Sequence, residues 1–175
     1  MENKVNVANG MNNSNPSASN GSAVEAANGA ANHTVKTFAL TVKRVQTIET
    51  DNSVSVNLTF DKSIPGFVRN EDGTYIESNV DHISFSRASI TRQLCALNDL
   101  IATYRDASEG AFNRKQLSII LHGAKITIKR TFHAAGEVVE DRDEPLERDQ
   151  WFSDIVGVSV SKTASTLLLS ALTLS

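Results

Sequence analysis

The chain has 175 residues, with 17 Lys and Arg against 20 Asp and Glu, a formal net charge of −3, and one cysteine. The lone Cys95 excludes an intramolecular disulfide framework and a zinc cluster built on cysteines. The start carries no basic-then-apolar leader and no apolar run reaches the ~18 residues a membrane span needs, so the expected setting is cytoplasmic, without membrane contact.

The charge is unevenly placed. Val35 to Arg130 holds 13 Lys and Arg against 10 Asp and Glu, whereas Thr131 to Gln150 holds 2 Arg against 7 acids. A mildly basic body therefore carries one acidic loop, 137–149.

Residues 1–33 are rich in Asn, Ala, Ser and Gly and lack aromatics, a composition that predicts a disordered leader. From Val35, Phe38, Leu40 and Val42 alternate inward, and then the phase shifts to Val45, which predicts a first strand bulged near Lys43 and Arg44. After a turn at Thr50–Ser53, Val54, Val56, Leu58 and Phe60 share one face of a second strand. Residues 61–81 read as a long connection carrying Phe67, Arg69 and Tyr75, with Gly73 tipping a small hairpin. His82–Ser86 is a short third strand. Ser89 then offers an N-cap to a helix whose stripe is Ile90, Leu94, Leu97, Ile101 and Tyr104, ending before Gly110 with Cys95 packed beside it.

Leu117 to Phe132 reads as one long strand. Leu117, Ile119 and Leu121 share a face, the phase slips at His122-Gly123, and Ala124, Ile126 and Ile128 continue, leaving Lys125, Thr127, Lys129 and Thr131 outside. The acids Glu140, Asp141, Asp143 and Glu144 are of the type that holds a hard cation, but their spacing matches no calcium loop and Arg142 and Arg148 lie among them, so the loop reads as solvated. Trp151–Lys162 is a last strand. The apolar segment 164–175 reads as a helix or strand that this domain or a second copy must cover.

The order of three strands, a helix, a bent strand, a long loop and a strand, over Val35 to Lys162, resembles the OB-fold single-stranded DNA-binding proteins. The resemblance implies a mainly β domain with one helix, an OB-like five-stranded barrel over 34–163. The chain departs from bacterial members in placing its low-complexity segment first and ending in leucines. A β-sandwich or jelly roll is the alternative, disfavoured by a helix between strands.

The expected function is binding of single-stranded DNA, or RNA, with little sequence preference, by a homo-oligomer acting in DNA replication or repair. Backbone contacts are expected from Lys43, Arg44, Arg69, Lys125, Lys129 and Arg130, and stacking from Tyr75, Phe132 or Trp151. The alternative is a phage or scaffold assembly protein that ignores nucleic acid. No cofactor, metal or enzymatic activity is expected: His122, His133 and Glu137 are the nearest to a catalytic set, and the spacing from His133 to Glu137 converges on a helix, which Gly136 opposes.

Overall fold

In a computed structural model describing residues 33–108, 110–140 and 142–173, five antiparallel strands form one unclosed sheet. They are β1 (Val35–Glu49), β2 (Val54–Arg69), β3 (Tyr75–Ser86), β4 (Lys125–His133) and β5 (Gln150–Ser159), in the order β3-β2-β1-β4-β5. The first strand is the axis. Its early half pairs β4, from Val35↔Thr131 to Thr41↔Lys125, and its late half pairs β2, from Val42↔Phe60 to Glu49↔Val54. The change of partner coincides with a register shift between Val42 and Arg44, where the sequence slip predicts a bulge, and a bulge bends the strand that carries it. The two halves of the sheet can then coil around one core.

Among the described residues, four helices accompany the sheet: α1 (Arg87–Leu97), α2 (Asp99–Asp106), α3 (Arg114–Leu121) and α4 (Lys162–Thr173). Leu40, Val42 and Leu58 from the sheet and Ile90, Ile101, Ile120 and Leu168 from the helices join a single buried cluster. Of the C-terminal segment, α4 buries Ala164 and Leu168 and packs against α2 and α3. The expected leader, apart from His33, lies outside the described residues.

Four expectations are corrected. First, Leu117–Phe132 is not one strand. Leu117, Ile120 and Leu121 are fully buried at helical spacing, and Asn113 caps α3: its Oδ1 accepts from Gln116 N at 2.9 Å while Gln116 Oε1 accepts from Asn113 N at 2.8 Å. The slip at His122-Gly123 is the end of that helix, where Gly123 takes a φ of 76° that favours glycine. Second, the expected single helix is interrupted at Asn98, whose side chain accepts from Ile101 N and caps α2, as asparagine does when it competes with the helix backbone. Ser86 rather than Ser89 caps α1.

Third, residues 61–81 are mostly strand. β2 continues past an irregularity between Thr59 and Ile64 and pairs β3 out to Arg69↔Tyr75, with Gly73 in the tip. Fourth, the barrel is not closed, because β3 and β5 remain the two edges of the sheet. Helix α1 leaves β3 and packs on β5, where Gln93 Oε1 accepts from Ile155 N at 2.7 Å. That contact satisfies a donor that a closing strand would otherwise take. Among the described residues, no helix is long and apolar enough to cross a membrane.

The helical assignment of 114–121 makes Asn113 a cap rather than a loop residue. Replacing it with Ala is expected to lower the unfolding free energy by about 1 kcal/mol in a urea titration. A change below roughly 0.3 kcal/mol, ordinary for an exposed loop position, contradicts the assignment.

Candidate nucleic-acid interface

On β4 the alternation sends Ile126, Ile128 and Arg130 inward and Lys125, Thr127 and Lys129 to the other face. Arg130 thus occupies a core position, 5 % exposed. It pairs with Ser153 across β5, and its Nη1 donates to Ser153 Oγ at 2.6 Å while Nη2 donates to the Pro65 carbonyl of β2. Gly66 keeps this corner open, since a Cβ there would meet Val80 Cγ2 at 2.7 Å and Arg130 Nη2 at 3.3 Å.

What the guanidinium lacks is a carboxylate. Among the described residues, the only ion pairs involve histidine, and none involves Lys or Arg. Burial pushes the Arg130 pKa down to about 10, so the group stays charged at neutral pH. That depression corresponds to a penalty on the order of 3 kcal/mol on the charged form, present in full below pH ~10 and relieved only above it. Among the described residues three buried side-chain atoms lack a partner, Thr47 Oγ1, Arg130 Nε and Trp151 Nε1, and the last two lie here. Native proteins leave few such groups unsatisfied, and each calls for an explanation.

Aromatic rings surround this charge. Arg130 Cζ lies 5.7 Å from the Trp151 ring centroid, Phe132 packs edge-on against Trp151 at 5.3 Å, and Phe67 sits 6.5 Å from Phe132. Two further arginines come from the loop between β4 and β5. Arg142 lies over Phe152 at 5.7 Å, and Arg148 covers Tyr75 at 3.8 Å. Guanidinium stacking of this kind leaves the N–H edge available to an acceptor.

All of these residues but Phe132 and Tyr75 line a groove of about 570 Å³ along the open seam of the sheet. Val80 and His82–Ser84 of β3 form one side, Gln150–Asp154 of β5 the other, with Gly66, Phe67 and Arg130 between them and Arg142 and Arg148 at the rim. Three guanidiniums face one carboxylate, Asp154, among the described lining residues. Guanidinium donors beside stacked rings suit a phosphate oxygen next to a flat base.

The acidic loop is folded back rather than simply solvated. Val139 and Leu146 are buried, Gly136 N donates to Leu146 O at 2.8 Å, Leu146 N donates to Glu137 O at 2.9 Å, and Ala135 N donates to Asp149 Oδ1 at 2.8 Å. Glu140, Asp143, Glu144 and Glu147 stay exposed and outside the groove, while the two arginines of the same loop line it. Asp141 lies outside the described residues.

Of the residues expected at a site, Arg130, Phe132 and Trp151 are brought together, and Tyr75 joins them through Arg148, with Arg69 opposite Tyr75 in register. Lys43 and Arg44 are exposed at the bulge of β1, and neither lines the groove. Lys125 and Lys129 point away because they differ in parity from Arg130 on the same strand. Sequence reasoning passed over Arg142, Arg148 and Phe152. The available signal was two arginines inside a run of acids, which alone does not reveal the direction they face.

On the face of β4 opposite Arg130, a second cluster departs from expectation. His133 and Glu137 meet without a helix, because residues 134–137 form a turn, with Glu137 N donating to Ala134 O at 3.2 Å and Gly136 at a φ of 87°. The glycine that argued against a helix makes the turn. The hydrogen bond from His133, followed by that from His33, holds the Glu137 carboxyl below the usual carboxylate range. His122, the other histidine considered, is the exposed C-cap of α3. Cys95 packs against the core, and burial pushes its thiol up, which disfavours a nucleophilic role.

An arginine retained for the architecture and one held ready for an anion respond differently to replacement. Arg130→Met is expected to leave the unliganded protein as stable or to raise its unfolding free energy, by up to about 2 kcal/mol, since it removes an uncompensated buried charge. A loss above roughly 3 kcal/mol in urea denaturation, the cost of breaking a buried structural network, contradicts this. Comparisons with family models, with curated proteins and with solved structures return no match to this chain.

Proposed function

We propose that the protein binds single-stranded DNA in the groove between β3 and β5, with little sequence preference, in DNA replication or repair. The observation that carries this reading is the buried, carboxylate-free guanidinium of Arg130 beside the Trp151 ring. A phosphate docked there supplies the missing counter-charge, and the unpartnered Nε–H and indole N–H point to the same acceptor chemistry. Neighbouring rings offer stacking worth roughly 1–3 kcal/mol per base and tolerant of sequence.

The position of the groove supports the same reading. OB barrels bind oligonucleotides on the face of their second and third strands with the loop joining the fourth and fifth, and here β2, β3 and the β4–β5 loop line the groove. Pairing of β1 with both β2 and β4, and a helix following β3, are shared features of that arrangement. The proposal includes a cytoplasmic setting and a homo-oligomer. The competing reading, a phage or scaffold assembly protein, draws on α4, where Leu167 and Leu169 are 48 % and 55 % exposed.

Trp151 is the only tryptophan, so its fluorescence reports the groove directly. Titration with oligothymidine is expected to quench it. With three arginines engaged, log K should fall with log salt at a slope of about −2, since each phosphate contact on a single strand contributes about −0.7. Arg148→Gln is expected to remove about 0.7 of that slope, while Lys125→Glu with Lys129→Glu leaves it unchanged. Duplex and RNA probes serve as competitors. No quenching at low salt with micromolar protein, or a slope that responds to the lysines and not to Arg148, rejects the proposal.

A further inference from the structure

His33 is distant in sequence from His133 and Glu137 and meets them in space because of strand register. The pairing Val35↔Thr131 continues through a bond from Phe132 N to Thr34 O at 2.9 Å, which sets His33 across from His133 with their ring centroids 4.3 Å apart. The turn after β4 returns Glu137 to the same point. Its Oε2 accepts from Ala134 N at 3.2 Å, and its Oε1 accepts from His133 Nδ1 at 2.8 Å and contacts His33 Nε2.

Among the described residues, this is the one group of three His, Cys, Asp or Glu side chains whose ligand atoms converge, all within 4.8 Å of one another. We propose that His33, His133 and Glu137 bind a divalent zinc-class ion, at a site that adjoins the groove through Phe152.

The donor set selects the metal. Two imidazoles with one carboxylate suit zinc and its transition-metal neighbours, whereas magnesium and calcium take oxygen donors. A tetrahedral ion with bonds of about 2.0–2.1 Å needs its donors about 3.4 Å apart, so side-chain rotation brings the three into place without moving the strands. Side-chain exposures of 21 %, 13 % and 23 % leave an entry path, and a water completes the fourth position. The surroundings hold the donors in aim: Ala134 N fixes the carboxylate, and Phe152 packs on the His133 ring at 4.4 Å. His33, just ahead of β1, becomes tied to the loop that carries Arg142 and Arg148.

Isothermal titration of the untagged, full-length chain with Zn²⁺ in a buffer that does not chelate tests this. One ion per chain is expected, with no saturable heat from Mg²⁺ and a melting temperature raised by Zn²⁺. His33→Gln and His133→Gln should each weaken zinc by more than the roughly 10- to 100-fold typical of losing an outer-shell partner, while His82→Gln changes nothing. Because His33 precedes the first strand, His33→Gln reads the site without threatening the core. Zinc uptake that persists in both histidine variants, or no saturable uptake in the micromolar range, overturns the assignment.

Discussion

A guanidinium removed from water without a carboxylate to meet it is the constraint around which the open side of this sheet is arranged. Arg130 reaches its place because β4 alternates, so that the residue after Ile126 and Ile128 on the inward face must also point inward. A hydrophobic residue there would simply extend the core. The arginine instead draws the Pro65 carbonyl and the Ser153 hydroxyl toward it, sits beside Gly66, where a Cβ would clash chiefly with Val80, and leaves one donor unmet. Each of these compromises lies on the side where the sheet fails to close.

The failure to close and the groove are the same feature. If β3 paired with β5, the space between them would fill with ladder hydrogen bonds and the seam would vanish. Helix α1 prevents that by leaving β3 and wedging against β5, taking the Ile155 amide with Gln93. Below that contact the two edges stand apart, and the loop between β4 and β5 brings Arg142 and Arg148 to the gap. The loop's arginines stack on rings that line or adjoin the groove, while Asp143, Glu144 and Glu147 line a neighbouring pocket that Arg142 and Arg148 also border. A net negative protein can present a locally positive surface in this way, and local field rather than total charge steers a polyanion.

Much of the architecture was legible in the residues. The slip from Val42 to Val45 announced the bulge at which β1 changes partner, and Gly73 announced the hairpin tip. What was misread had a common cause. Leu-Ser-Ile-Ile-Leu satisfies a two-residue period and a helical one at once, because Leu117, Ile119 and Leu121 alternate while Leu117, Ile120 and Leu121 follow a helix turn. The tie was broken by Asn113 and Gln116, a capping box in a different residue pairing from the usual Ser with Glu. The site was legible only in part. Arg130, Phe132 and Trp151 were singled out by their place beside the acidic loop and lie together in the structure, but parity on β4 separates Arg130 from Lys125 and Lys129, and no sequence pattern fixes which way a loop arginine turns. His33 and His133 meet only through register, which a single sequence does not reveal.

The account stands or falls on whether Arg130 receives the ligand. The most direct measurement is the NMR signal of its side-chain Nε–H, followed with that of the Trp151 indole N–H as oligothymidine is added. The account predicts that both move together and saturate at the same ratio of DNA to protein. A complex that forms while both signals stay fixed, with the changes falling instead on Lys125 and Lys129, contradicts it.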